Sequence, residues 1–173
     1  HSGRFNGAFM RSMAALNSVH FVFHGKSAHA CISPDLGKSA LDAVELMNTG
    51  VHFLREHVSQ DCRFPYVIPN GGANPVVVPD FASVWYAIVA PTREQVDALH
   101  QKICEIAQSA ANMTGTRLEI YLESACYPTL YNETISQKLQ QTLAEIPQPE
   151  WTQEELQFAH ALNATLPNEW AQA

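Results

Sequence analysis

The stretch of this chain best suited to chemistry is the loop from Phe23 to Cys31, which places His29 among glycine, serine and alanine residues. An imidazole can donate a hydrogen bond, accept one, or carry a proton near neutral pH. The residues before the loop alternate in apolar character like a strand, and a periodic helix begins soon after it. Side chains at such strand-to-helix connections are often functional. The alternative interpretation is a solvated or capping histidine without a chemical role.

The other histidines show no spacing on one element that suits a metal ion. His20 and His24 share one face of a predicted strand, but they lie about two pleats apart, too far to share an ion. We therefore expect both on an exposed or partly covered strand face. The chain also contains no nucleophile elbow, no phosphate-binding glycine loop and no HExxH sequence. The residues alone thus predict an acidic α+β module with little catalytic equipment of its own.

The four cysteines, Cys31, Cys62, Cys104 and Cys126, are widely and irregularly spaced. Because no CxxC pair is present, the spacing does not predict a structural zinc site. Cys104 falls within a helical pattern and Cys126 follows an apolar strand, so we expect buried thiols at both positions. A reducing cytoplasm suits this cysteine usage best.

The formal net charge of −7 argues against nucleic acid or an anionic membrane as a partner, since both require a basic surface. A nucleic-acid-binding domain is further disfavoured because no predicted sheet face combines basic and aromatic residues. No apolar run approaches the roughly 20 residues that span a bilayer. No basic-then-apolar signal segment opens the chain either. Its start on a histidine instead of a methionine favours an excised part of a longer protein.

Hydrophobic periodicity predicts the elements that position the loop. The predicted strands are 18–24, 64–69, 81–89 and 117–123, and the predicted helices are 38–57, 92–114, 132–146 and 152–164. The order strand-helix-strand occurs twice, which predicts an α+β, ferredoxin-like βαββαβ fold: a four-stranded antiparallel sheet with two helices on one face, plus a helical C-terminal tail. Pro65 and Pro69 predict an edge strand at 64–69, and apolar residues on both faces predict a central strand at 81–89. Such a fold hosts many functions and does not choose among them.

Several motifs occur in a characteristic order along residues 18–126. They are Gly25–Ala30, Pro34-x-x-Gly37-Lys38-Ser39-Ala40-Leu41, Gly71-Gly72, Val77-Val78-Pro79, Val84-Trp85-Tyr86 and Ala90-Pro91. Together they resemble the lid, or dimerisation, domain of the M20 family of metallopeptidases and amidohydrolases. The resemblance implies that 1–17 is a lead-in segment from a catalytic domain. It also implies that 18–126 is the lid and that 127–173 is a helical segment returning toward the catalytic domain.

The resemblance implies amide hydrolysis by a metal-bound water, usually with two zinc or manganese ions, while a carboxylate shuttles the proton. Most of the family's ligands are not in this chain. His1 aligns with a metal-binding histidine of the family, although Ser2 follows it where the family has proline. We therefore expect the divalent metal in the full-length protein and do not expect this part of it to hold an ion well.

His29 matches the lid histidine that, in dimeric relatives, reaches into the partner's active site and donates a hydrogen bond to the tetrahedral oxyanion. The resemblance thus makes His29 the candidate catalytic residue. It also implies a homodimer, or a heterodimer with a sister subunit, that acts on a small amide substrate. The expected contact is isologous and runs through an exposed sheet edge and an adjacent helix.

Two positions depart from the family pattern. Val76 stands where the family has an asparagine that helps to hold the substrate or oxyanion, and Asn74 is the candidate substitute for substrate binding. Val89 stands where the family has an arginine that receives a substrate carboxylate, and valine cannot replace charge-assisted hydrogen bonds. These departures predict a less acidic substrate or poor hydrolysis. They also leave open a second hypothesis, a non-catalytic module for small-molecule binding or subunit assembly.

Overall fold

The computed structural model describes residue 7, residues 12–147 and residues 149–166. The strands are β1 (Ala15–His24), β2 (Tyr66–Asn70), β3 (Phe81–Ala90) and β4 (Arg117–Cys126), and the helices are α1 (Ala40–Leu54), α2 (Arg93–Thr114), α3 (Glu133–Glu145) and α4 (Gln153–Asn163). The chain forms two compact units: one contains the sheet with α1 and α2, and the other contains α3 and α4. Within these described residues, every helix is too short or too polar to cross a membrane.

The four strands form one antiparallel sheet in the order β2-β3-β1-β4. This order and the βαββαβ succession confirm the predicted ferredoxin-like fold, with β3 in a central position and β2 at an edge. β1 begins at Ala15, earlier than the predicted start at Ser18, because Ala15 and Leu16 pair with Ala90 and Val89 of β3. The start of β1 therefore depends on pairing with β3, which the alternation of residues within β1 alone does not predict.

Strict alternation in β1 builds the core. Val19, Phe21 and Phe23 are fully buried beneath α1 and α2, whereas His20 and His24, which alternate with them along the strand, remain half-exposed on the opposite face. The core side chains contributed by the other elements include Val44, Met47, Val51, Val84, Tyr86, Ile88, Val96 and Ile103. The face of the sheet opposite α1 and α2, which carries His20, His24, Phe81 and Trp85, is called the open face below.

Side-chain caps explain where α1 and α2 begin. Ser39 accepts a hydrogen bond from the backbone N–H of Asp42, and Thr92 forms a reciprocal capping box with Gln95. Both arrangements satisfy N–H groups that have no partner within the helix. α2 ends at Gly115, whose φ of 65° lies in the left-handed region that glycine adopts without a steric cost. The caps at Ser39 and Thr92 therefore fix where the preceding loops end and α1 and α2 begin.

The second unit follows the same local rules. Asn132 accepts a hydrogen bond from the backbone of Ile135 at the start of α3, and Thr152 forms the predicted capping box with Glu155 at the start of α4. All residues of both helices are half-exposed or exposed, including Leu139 and Phe158. Amphipathic helices with an uncovered apolar stripe normally pack on another surface.

The predicted burial of the thiol is wrong for Cys126, which is exposed. Cys104 is half-buried against the core, and all four cysteines are free. The physical reason for Cys126 is its place near the end of β4, an edge strand that the helices cover incompletely, as the exposed Ile120 and Leu122 also show.

Candidate functional site

Backbone hydrogen bonds join the loop that carries His29 to the connection between β2 and β3. The N–H of Ala30 donates to the carbonyl of Val76 at 2.9 Å, and the N–H of Val78 donates to the carbonyl of Ala28 at 2.9 Å. His29 and Val77 are therefore a non-hydrogen-bonded antiparallel pair, the closest cross-strand arrangement, with Cα atoms about 4.5 Å apart. Their side chains point to the same face, so Val77 lies beside the imidazole.

The imidazole of His29 has one nitrogen engaged and one available. Its Nδ1 accepts a hydrogen bond from the backbone N–H of Cys31 at 3.2 Å, and the residue is exposed. Because an amide N–H can only donate, this contact favours the tautomer in which Nε2 carries the proton. The loop thus presents an outward N–H donor, the group needed to stabilise a developing oxyanion.

Backbone hydrogen bonds hold the base of the loop. Lys26 and Lys38 exchange hydrogen bonds at 2.8 and 2.9 Å, and the N–H of Gly25 donates to the carbonyl of Asp80 at 2.8 Å. A Cβ atom on Gly25 would lie 1.9 Å from the carbonyl oxygen of Lys38. Only glycine fits at this point, and the position of the His29 loop depends on it.

Asn74 and Val77 both lie in the connection between β2 and β3. Its Oδ1 accepts a hydrogen bond from the N–H of Val76 at 3.0 Å, and its carbonyl accepts one from Val77 at 3.1 Å. The oxygen of the side chain therefore stabilises the turn, while the residue itself is exposed. Asn74 thus lies in the turn that leads into Val77, the residue that pairs with His29, and the carbonyl of Val76 accepts from Ala30 beside it.

Val89 lies at the other end of the sheet. It pairs with Leu16 at the start of β1, whereas the His29 loop follows the end of β1 at His24. Strand residues advance by about 3.3 Å each, so the two ends are separated by roughly 25 Å. Within one chain, His29 and Val89 cannot contact the same small molecule.

The two histidines of the open face are half-exposed, as predicted for a partly covered strand face, and each is paired with a different glutamate. The Nε2 of His20 lies 3.7 Å from Oε2 of Glu123, and its ring stacks on Trp85 with a centroid distance of 4.9 Å. The Nε2 of His24 lies 3.2 Å from Oε2 of Glu119. Each imidazole therefore has its own carboxylate partner.

Hydrogen bonds from several donors converge on Glu119. The hydroxyl of Tyr121, the guanidinium of Arg117 and the imidazole of His24 together lower the pKa of its carboxyl group to about 2. Glu119 thus stays ionised down to low pH and accepts hydrogen bonds from three neighbouring side chains.

The described residues do not fit the metal ions that the resemblance implies. No group of three or more histidine, cysteine, aspartate or glutamate side chains in this part of the chain comes close enough to hold an ion. His1, the candidate metal ligand, lies outside the described residues. We therefore assign no step of metal chemistry to this chain.

The sequence pattern predicted a role for His29 but did not indicate which residues lie next to it. The backbone N–H of Cys31 bonds Nδ1 of His29, and Val77 is a neighbour of His29 through backbone pairing between segments that are far apart in the chain. The motif Val77-Val78-Pro79 was the one sequence signal near this contact.

Comparison with known proteins identifies the family of this chain. The model of the M20 peptidase dimerisation domain family matches residues 14–114. A subunit of the p-aminobenzoyl-glutamate hydrolase of Escherichia coli (strain K12) is 42% identical over 167 residues, which cover 96% of this chain and 35% of that protein. The Xaa-Arg dipeptidase of Mus musculus is 30% identical over 127 residues, covering 73% of this chain and 29% of that protein. The chain spans about a third of the length of these curated relatives.

Two solved structures share the fold. An aminobenzoyl-glutamate utilization protein from Klebsiella pneumoniae superposes with a TM-score of 0.65 at 21% identity, over 78% of this chain and 34% of that chain. A hydantoinase/carbamoylase family amidase from Burkholderia ambifaria superposes with a TM-score of 0.61 at 17% identity, over 72% and 31% of the two chains. At these identities the likeness concerns the fold alone.

Proposed function

This chain belongs to the M20 peptidase dimerisation domain family, and from that premise we propose that it is the lid of an amidohydrolase in which His29 serves the active site. The observation that carries the proposal is the 42% identity to the p-aminobenzoyl-glutamate hydrolase chain across 96% of this chain, which includes the His29 loop. The substrate we propose is accordingly an aryl amide of an amino acid, cleaved at its amide bond. The four free cysteines support a reducing, cytoplasmic setting for this reaction.

The part that this chain plays in the reaction is charge stabilisation. Attack on an amide carbonyl places negative charge on its oxygen, and a donor aimed at that oxygen lowers the barrier. The Nε2–H of His29 is such a donor, because Cys31 occupies Nδ1. Zinc or manganese ions would supply the nucleophilic water from ligands outside the described residues. We propose Asn74 as a second polar contact to the substrate, because its turn leads directly into Val77, which pairs with His29.

The β2 edge is the surface that we propose for dimerisation. The carbonyl of Pro65 accepts from Ala87 of β3 at 3.0 Å, so it points inward. Backbone groups alternate in direction along a strand, and those of Tyr66, which precedes the register shift between Val67 and Asn70, therefore point outward, where a second copy can pair with them. The proline at position 65 does not block this outer donor. The exposed side chains of Val67 and Ile68 add apolar area.

Two copies that pair through β2 around a two-fold axis must run antiparallel if α1 and α2 of both copies share one side of the extended sheet. Antiparallel pairing places the residues that follow β2 in one copy beside the residues that precede β2 in the other. The connection after β2 carries Val77 and, across the ladder, His29. His29 would thus serve the partner's active site. Pairing through β4 would place the partner at the opposite edge of the sheet from β2, away from the connection between β2 and β3 that pairs with the His29 loop.

The direct test of the proposed activity is the hydrolysis of p-aminobenzoyl-glutamate by the full-length protein, supplied with manganese or zinc. We expect release of p-aminobenzoate and glutamate, followed by absorbance and chromatography. If neither this compound nor a neutral aryl amide is cleaved, the amidohydrolase proposal fails. A non-catalytic assembly module then becomes the better account.

We expect Tyr66→Pro to raise the dimer dissociation constant roughly tenfold or more, because it removes an outward N–H at two symmetry-related places. Analytical ultracentrifugation of the full-length protein measures this constant. The matched control Tyr66→Ala removes the same ring, keeps the N–H and should weaken the dimer less. A dimer unaffected by Tyr66→Pro but disrupted by Ile120→Lys would instead locate the interface at β4.

A further inference from the structure

Arg63 lies directly opposite Val89 across the edge of the sheet. The two residues exchange both backbone hydrogen bonds, each at 2.9 Å, which makes them a hydrogen-bonded antiparallel pair with Cα atoms about 5.5 Å apart. Residues in such a pair direct their side chains to the same face. Val89 shares the face of Trp85 by the two-residue period of β3, so the side chain of Arg63 begins on the open face.

A second arginine lies at the same end of the molecule. Arg55 and Arg63 both line a cavity of about 640 Å³, whose other polar lining residues are Ser59 and Gln60. No carboxylate is among the described residues that line it. Each guanidinium spends a donor on the backbone: Arg55 Nη2 donates to the carbonyl of Phe64 at 2.6 Å, and Arg63 Nη1 donates to that of Cys62 at 2.8 Å. A guanidinium carries five N–H groups, so both keep donors for a ligand.

The charge environment of these two arginines differs from that of the others described. Arg93 forms an ion pair with Asp97 at 2.7 Å, and Arg117 forms one with Glu119. Within the described residues, Arg55 and Arg63 form no ion pair with a carboxylate. In a chain of net charge −7, two guanidinium groups without an acidic partner beside one cavity are well suited to bind an anion.

We propose that Arg63, assisted by Arg55, binds a carboxylate of the substrate. This inference rests on the proposed function and deepens it: the substrate class is an acidic amide, although Val89 by itself favoured a less acidic one. The position fits the proposed dimer, because antiparallel pairing of β2 brings the partner's His29 loop to the end of the sheet where Arg63 precedes β2. One small amide can then receive a hydrogen bond from the partner's His29 at its scissile carbonyl and one from Arg63 at its carboxylate.

The first experiment compares two matched substrates of the full-length protein, p-aminobenzoyl-glutamate and p-aminobenzoyl-glutamine, which differ in the charge of the side chain. We expect Arg63→Gln to lower kcat/KM for the glutamate compound roughly 10- to 100-fold, mainly through KM, and to change the glutamine compound little. The control Arg117→Gln, at the far end of the sheet, should leave both values unchanged. Equal losses for both substrates in Arg63→Gln would overturn the proposal.

The second experiment does not depend on turnover. Isothermal titration of p-aminobenzoyl-glutamate into the full-length protein should show a dissociation constant that rises at least tenfold in Arg63→Gln, less in Arg63→Lys and not in Arg117→Gln. Inorganic phosphate serves as a second probe, and phosphate binding as tight as that of the amide would reveal a general anion site and overturn the assignment to substrate. Binding that depends on Arg63 in a protein without hydrolytic activity would refute the proposed function while retaining the carboxylate site.

Discussion

Replacing His29 with alanine in the full-length protein will lower kcat for amide hydrolysis by roughly 100- to 1000-fold, the usual cost of losing one oxyanion donor. The reason is geometric. Nδ1 accepts a hydrogen bond from the N–H of Cys31, and the exposed Nε2–H forms no hydrogen bond within the described part of the chain. Because the contact forms with the charge that develops during reaction, KM should change far less than kcat. Steady-state kinetics with p-aminobenzoyl-glutamate separates the two parameters.

Two controls sharpen this prediction. His160→Ala removes another exposed histidine, on α4, and should leave kcat unchanged. His29→Gln restores an N–H donor without a titratable group and should recover part of the lost rate, with a pH profile like that of the wild type. A full loss in His29→Gln with an altered pH profile would indicate a general acid or base instead of a hydrogen-bond donor. An unchanged kcat in His29→Ala would reduce His29 to a loop residue.

The trans arrangement has its own consequence. A hybrid dimer that combines a His29→Ala chain with a chain inactivated in its catalytic domain contains one active site served by an intact His29. Mixing the two inactive proteins should therefore restore activity if His29 acts on the partner's site. No restoration under conditions of subunit exchange would place His29 in its own chain's site.

Gly25→Ala will lower the free energy of unfolding by about 3 kcal/mol, at the upper end of the usual cost of overpacking. The added Cβ would lie 1.9 Å from the carbonyl oxygen of Lys38, and a backbone atom cannot move aside as a flexible side chain can. Relief requires breaking the Lys26–Lys38 hydrogen bonds at the base of the His29 loop. Urea unfolding followed by circular dichroism measures the loss, and kcat should fall as well because His29 is displaced.

Gly71→Ala is the matched control. The nearest atoms to its added Cβ would be Leu41 Cδ1 at 3.5 Å and Ile68 Cγ2 at 3.8 Å, which are ordinary van der Waals distances. We expect its free energy of unfolding to stay within about 1 kcal/mol of the wild type. Similar losses in Gly25→Ala and Gly71→Ala would show that backbone flexibility, and not the contact with Lys38, explains the effect.

The elements of this fold could be predicted because each depends on neighbours in sequence. Alternation predicted that Phe21 and Phe23 share the buried face, the helical period predicted α1 and α2, and Thr152 marked the start of α4. The errors occurred where a distant element decides. β1 begins before Ser18 because β3 extends it, and Cys126 is exposed because β4 lies at an edge.

The candidate site divides in the same way. The sequence by itself determined that His29 lies in a glycine-based loop between a strand and a helix, since those signals are local. Only the tertiary structure decided that Val77 stands beside His29 and that Arg63 stands beside Val89. These neighbours are joined by strand register, which is set by packing between segments far apart in the chain. The valine at position 89, where the family has an arginine, therefore does not by itself determine the charge at this place, because Arg63 stands opposite it on the neighbouring segment.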